Sequence, residues 1–185
     1  MTVKDIVTLA ATQLGIADAV QDVIDGKAGA DTKTLTLLVE CFNIVENELA
    51  LDYLPLYAED EVYSDTGRVE FAELSQSAVR ILRVEDEWGN ALPFKLFPSY
   101  LVCQPGKVKI TYTYTPKKKN ITGNSDYKLF VSERLFSYGI AAEYCVAMGL
   151  YEEAAVWDKK YKEGIEAACS GGKSVRLASR RWVCC

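Results

Sequence analysis

The 185-residue chain contains no histidine. That removes the commonest general base and the commonest metal ligand, so no Ser-His-Asp or Cys-His site can be built within it. Cysteine pairs of the CxxC kind are also missing. Cys41, Cys103, Cys145, Cys169, Cys184 and Cys185 follow neither a zinc-site nor a thioredoxin-like spacing. Buried free thiols in a reducing compartment are the plain expectation, and the adjacent Cys184 and Cys185 have no assigned role. No run of about 18 apolar residues occurs, so no membrane span is expected. Residues 1–5 lead into an amphipathic pattern instead of an apolar leader, so no secretion signal is expected either. Internal repeats and low-complexity tracts are absent. What remains is 49% hydrophobic and 25% charged, which suits one domain, or one domain carrying an inserted module, with a sizeable core.

Charge is unevenly spread. The chain carries −5, yet residues 173–185 hold Lys173, Arg176, Arg180 and Arg181 with no acid, so a tail of +4 leaves −9 on the body. An acidic body argues against general nucleic-acid binding, which needs clustered Lys and Arg on phosphates.

Candidate chemistry is sparse. Glu59, Asp60 and Glu61, and Glu85, Asp86 and Glu87, fall in polar segments flanking strands and read as solvated charge, without the oxygen spacing of an EF-hand. Gly172, Lys173 and Ser174 resemble the end of a phosphate-binding loop. However, Ala167 stands where the earlier glycine belongs, and a helix precedes the segment where the motif needs a strand. Asn120, Ile121 and Thr122 match a glycosylation acceptor and imply only an exposed loop. The expectation is a non-enzymatic protein without metal or cofactor.

The periodicity predicts helices at both ends. Thr2 caps the first, with Asp5 at the capping-box position and Val3, Ile6, Val7, Ala10 and Leu14 as its apolar stripe. A short helix over 17–24 follows, then a loop over 25–30. A long helix starts among 31–34 and runs to about Leu51, with Leu35, Leu38, Val39, Phe42, Val45 and Leu49 buried. Pro55 closes this half. Strands are predicted at 68–74, 79–85 and 92–97, and a hairpin joins 100–103 to 107–115 through a type II turn at Pro105-Gly106. A polar loop follows over 116–125, carrying Lys117, Lys118 and Lys119. Residues 132–148 are apolar nearly all round, so that helix is expected to be buried on every side. Gly149 stops it, and residues 151–168 form a two-faced partner with Ala154, Trp157, Tyr161, Ile165 and Ala168 inward.

A β block between helical blocks marks an α+β fold. The expected plan is a helical bundle from residues 1–53 and 126–170, an inserted antiparallel β-meander over 54–125, and an extended C-terminal arm over 171–185. Arg180, Arg181 and Trp182 are of the types enriched at binding hot spots, and at the end of a glycine-hinged tail they suit partner contact.

Three stretches carry a resemblance: CFNIVENELALDYLPLY (41–57), AAEYCVAMGLYEEAAVWDKKY (141–161) and GGKSVRLASRRWV (171–183). With the helix–β–helix order they resemble the head-to-tail adaptor (connector, head-completion) proteins of tailed bacteriophages. The resemblance implies a homo-oligomeric, dodecameric ring beneath the portal, located in the virion and made in the host cytoplasm. The C-terminal arm would dock on the portal protein, and a stopper or a tail or nozzle protein would follow on the tail side. Gly171 and Gly172 would be the hinge of the arm, and Lys173, Arg176, Arg180, Arg181 and Trp182 its docking residues. DNA would pass through the channel without specific binding, and an acidic wall fits that passage, since like charges repel. Stoppers are mainly β, whereas this chain is helical at both ends, which favours the adaptor.

Two other readings compete. AMGLYEEAA (147–155) looks like half of one tetratricopeptide unit, which points to a soluble helical protein-interaction module with no viral role, although such folds stack several copies. A hydrolase or nuclease using Asp, Glu and a metal would need turnover that a chelator abolishes.

Overall fold

Thr2 starts the first helix as the capping pattern predicts. Its backbone is extended, its hydroxyl accepts from the Asp5 N–H at 3.1 Å, and α1 (Val3–Gln13) follows. The structure is a computed structural model that describes residues 1–27, 32–128 and 131–170. Beyond α1 it contains α2 (Ala17–Ile24), α3 (Thr32–Glu48), α4 (Glu133–Ala147) and α5 (Tyr151–Ser170). The Ser132 hydroxyl caps α4 by accepting from the Leu135 N–H at 3.1 Å, and Gly149, at φ +75°, ends it. Asp31 lies outside the described residues.

Helices from the two ends of the chain share one core. Ile6 and Val7 of α1, Phe42 and Val45 of α3, Phe136 and Ile140 of α4, and Tyr161 and Ile165 of α5 are all buried in the same cluster. The small residues of α4 permit this close packing. A Cβ on Gly139 would stand 2.8 Å from Val45 Cγ1 and 2.9 Å from Tyr161 Cε2. Alanine there would gain about 1 kcal/mol of helix propensity, but overpacking costs about 1–3 kcal/mol. Gly139→Ala is therefore expected to lower the unfolding free energy by about 1 kcal/mol in urea titrations. An unchanged or raised midpoint would contradict the tight three-helix contact.

The helical expectations need three corrections. Burial along α4 ends at Cys145, and Val146 is 49% exposed, so the helix is not covered on every side. Cys169 is exposed, because α5 runs past its last buried residue, Ile165. The long helix is regular only to Glu48. A wider π turn, Leu49–Tyr53, follows and closes with the Leu54 N–H on the Leu49 carbonyl at 2.7 Å. Leu54 precedes Pro55 and is driven out of the helical region, so the helix has to unwind there.

The β block departs further from the plan. Its strands are β1 (Leu56–Ser64), β2 (Arg68–Glu70), β3 (Ser77–Asp86), β4 (Lys95–Leu96), β5 (Tyr100–Val102) and β6 (Gly106–Thr115). They form two three-stranded antiparallel sheets, ordered β1-β6-β3 and β2-β5-β4, so the predicted meander does not form. The last strand takes the centre of the larger sheet because Val108, Ile110 and Tyr112 on it are buried and demand cover. β1, which the pattern did not reveal, pairs with β6 from Leu56↔Tyr114 to Ser64↔Gly106.

The predicted hairpin over 100–115 is also absent. β5 pairs with β2 and β4, and Gly106 sits at φ +131°, far from the value of about +80° of a type II turn. Pro93 and Pro98 offer no N–H, which leaves only Lys95–Leu96 of the 92–97 strand. The 68–74 strand stops at Glu70, where a 3-10 turn, Phe71–Glu73, takes over.

Val69, Ile81, Val84, Leu101, Ile110 and Tyr112 form a second buried cluster that the two sheets share. The fold is thus α+β, with one apolar cluster in the helices and another in the sheets. No helix among the described residues is long and apolar enough to cross a membrane.

Candidate interaction surfaces

The residues predicted to form the hinge and the docking arm, Gly171, Gly172, Lys173, Arg176, Arg180, Arg181 and Trp182, lie outside the described residues, as do Cys184 and Cys185. The surfaces that can be built from residues upward are those of the bundle and the sheet.

The connection from β6 to α4 is held against the bundle by two polar side chains on the buried face of α3. The Asn43 amide reads both backbone groups of Lys119. Its Oδ1 accepts from the Lys119 N–H at 2.7 Å, and its Nδ2 donates to the Lys119 carbonyl at 3.1 Å. Three residues on, Glu46 is 1% exposed, and its Oε1 accepts from the Ser125 hydroxyl at 2.7 Å and the Asp126 N–H at 2.9 Å. Its Oε2 is buried without a hydrogen-bond partner among the described residues. Burial pushes the Glu46 carboxyl above its usual range, against the hydrogen bonds from Ser125 and Asp126 and the attraction of Lys119.

The lysines of this loop are engaged within the chain. Lys117 donates to the Ser75 carbonyl at 3.3 Å, Lys118 pairs with Glu40 at 3.0 Å, and Lys119 pairs with Asp126 at 2.6 Å. Sequence reasoning missed Asn43 and Glu46. The available signal was two polar residues three apart, interleaved with the buried Phe42, Val45 and Leu49.

The acidic triplets turn out to be strand and turn residues. Glu59 and Glu61 lie on the outer face of β1 and pair with Lys109 and Lys107 of β6, each at 2.6 Å. Such exposed pairs fix register more than they stabilise. Between them Asp60 accepts from the Tyr112 hydroxyl at 2.6 Å and the Ser75 N–H at 2.7 Å. Burial alone would raise Asp60, but these hydrogen bonds outweigh it and hold the carboxyl below its usual range.

Asp60 therefore contributes stability that is present above its unfolded pKa and lost as pH falls through the lower folded one. Tyr112→Phe is expected to cost about 1–2 kcal/mol at neutral pH. The gap to wild type should narrow as pH falls below about 4 and the carboxylate is protonated. A gap independent of pH would remove Asp60 from this account.

In the second triplet, Glu85 pairs with Arg83 at 2.7 Å, and Asp86 accepts from the Trp88 and Asn90 N–H groups of the following turn. No group of three His, Cys, Asp or Glu among the described residues could hold a metal ion. Cys41 is buried, and desolvation pushes its thiol up to about 12, so it is not a nucleophile near neutrality.

Apolar side chains are bare at several places among the described residues, Trp88, Tyr57, Tyr63 and Leu96 included. Val146, Met148, Leu150 and Tyr151 surround the α4–α5 turn, Ile44 and Leu51 lie towards the end of α3, and Val79 and Leu82 stand on β3. The β3 pair has a structural cause. Register shifts between Ala78 and Arg80 and between Ile81 and Arg83 insert Val79 and Leu82 as bulge residues, which turns both outward. The chain matches no model of a known protein family and no curated protein.

Proposed function

We propose that the chain is a structural subunit of the adaptor ring between the portal and the tail of a tailed bacteriophage, located in the virion. The observation that carries this reading is the layout. Helices from both ends of the chain close into one bundle, and the sheets form a second cluster inserted between α3 and α4. The resemblance implies a helical bundle with a β insertion, and this coarse layout supports it. The surface chemistry is consistent with it. Residues 1–172 carry −9, so a channel lined by such subunits would repel DNA and let it slide. The +4 segment after Ser170, with Trp182 near its end, would dock on the portal. A stopper or a tail or nozzle protein would continue the channel on the other side.

The test uses native material. Lysate of the source is separated by size, and the 20.6 kDa chain is quantified across the fractions. Recovery in stoichiometric amount with very large, DNA-containing particles is the expected result. Recovery only as a free small species would overturn the reading in favour of a helical interaction module. Truncation after Ser170 is expected to leave the melting temperature unchanged while abolishing incorporation into particles. Normal incorporation of the truncated chain would remove the arm from the mechanism.

A further inference from the structure

Two exposed strips on different elements of this chain are complementary in charge. The first lies at the C-terminal end of α3 and in the π turn that follows, and it comprises Ile44, Glu48, Leu51 and Asp52. Ile44 and Leu51 are 51% and 50% exposed. Acid gathers around them. Glu48 is raised first by burial, against a hydrogen bond from the Tyr161 hydroxyl at 3.3 Å, and further by the negative charges of Glu143, Asp52 and Asp158. Asp158 is paired with Lys162, whereas Glu48, Asp52 and Glu143 have no ion-pair partner among the described residues.

The second strip runs along β3, an edge strand on the opposite side of β6 from β1. Its two bulges expose Val79 (52%) and Leu82 (41%), and each is followed by an arginine, Arg80 and Arg83. Lys117 adds a third cation beside Ser75, just before the strand. Glu85 holds Arg83, but the Arg80 guanidinium has no ion-pair partner among the described residues.

We propose that the α3 strip of one copy docks on the β3 strip of a second copy, Ile44 and Leu51 against Val79 and Leu82, and carboxylates against Arg80 and Lys117. The occupant is a second copy because one chain carries both halves of the match. Because the halves differ, the contact is head-to-tail, the kind that closes into a ring when its rotation permits. The bulges suit this role, since they blunt the edge of β3 against strand pairing while presenting its side chains. This contact deepens the ring-subunit reading above and rests on it.

The full-length chain is followed by sedimentation velocity from low micromolar to about millimolar concentration, beside Arg80→Glu, Asp52→Arg and the double variant. Both substitutions are on exposed side chains, and circular dichroism checks that each variant folds. Wild type is expected to self-associate, each single variant at least about tenfold more weakly, and the double variant to recover. In a mixture of the two single variants one junction keeps both native strips and the other brings the exchanged charges together, so the mixture is expected to associate more strongly than either single variant alone. Wild type that stays monomeric throughout, single variants that associate like wild type, or a mixture that associates no more strongly than either single variant would each overturn the contact. Presence of the chain in DNA-containing particles is measured separately, so failure here leaves the ring-subunit reading standing.

Discussion

Phe136→Ala is expected to lower the unfolding free energy by about 3–5 kcal/mol, the usual range for deleting a fully buried phenylalanine. The side chain has no exposed surface. It stacks on Phe42 of α3 with ring centroids 5.4 Å apart and meets the Tyr127 ring edge-on at 5.8 Å. Tyr127 in turn donates its hydroxyl to the Leu54 carbonyl at 2.6 Å, at the exit of the π turn. The cavity would therefore open where α3, α4 and the chain leaving the sheet converge. A domain of this size loses roughly 2–4 °C of melting temperature per kcal/mol, so a fall of about 10 °C is expected. Phe136→Leu, which keeps most of the volume, should lose about 1.5 kcal/mol or less. Urea titration followed by circular dichroism measures both. A loss below about 1 kcal/mol for the alanine variant would mean that this aromatic cluster is not the keystone of the bundle.

Glu46 is expected to show a large effect whose sign depends on the substitution. In Glu46→Ala, the Ser125 hydroxyl and the Asp126 N–H lose their acceptor in a buried site, and each stranded donor costs about 1–3 kcal/mol. The Lys119–Asp126 pair beside it would also lose a negative neighbour. Glu46→Gln keeps the accepting oxygen and removes the charge.

The pH dependence follows from burial. The folded pKa of Glu46 lies above its unfolded value, so between the two the folded chain binds more protons. The carboxyl's contribution to stability is therefore greatest at acidic pH and declines as pH rises from the ordinary glutamate range, about 4.3, through the raised folded pKa. The charged groups facing it, Lys119 and Asp126, remain in both proteins, so the difference between wild type and Glu46→Gln isolates this residue. Unfolding free energies in urea at half-unit steps of pH are expected to show wild type falling relative to the glutamine variant across that window. Parallel curves would show that Glu46 is ionised in the folded chain as readily as in the unfolded one.

Much of the helical half was legible because its signals are local. Thr2, Ser132 and Gly149 are capping residues whose chemistry acts within one turn. The stripes Val3, Ile6, Val7, Ala10 and Phe42, Val45, Leu49 repeat at the period that one buried face requires. The α+β class followed from the order of these blocks. The candidate surfaces were less visible. Val79 and Leu82 read as ordinary strand residues until bulges turned them outward. Ile44 falls outside the buried stripe that the sequence predicts for α3, and packing leaves it bare. Asn43 and Glu46 gain meaning only because residues 119–126, far along the chain, cross them.

The amino-acid sequence by itself determined the helices, their caps, the absence of histidine chemistry and the split between an acidic body and a basic tail. These depend on nearest neighbours or on composition. The tertiary structure alone decided the sheet order, the place of β1 and the fate of the buried carboxylate. Strand pairing is a choice among distant partners. The run Glu59, Asp60 and Glu61 hides a strand until Lys107, Lys109 and Tyr112 are brought opposite it to neutralise two charges and hydrogen-bond the third.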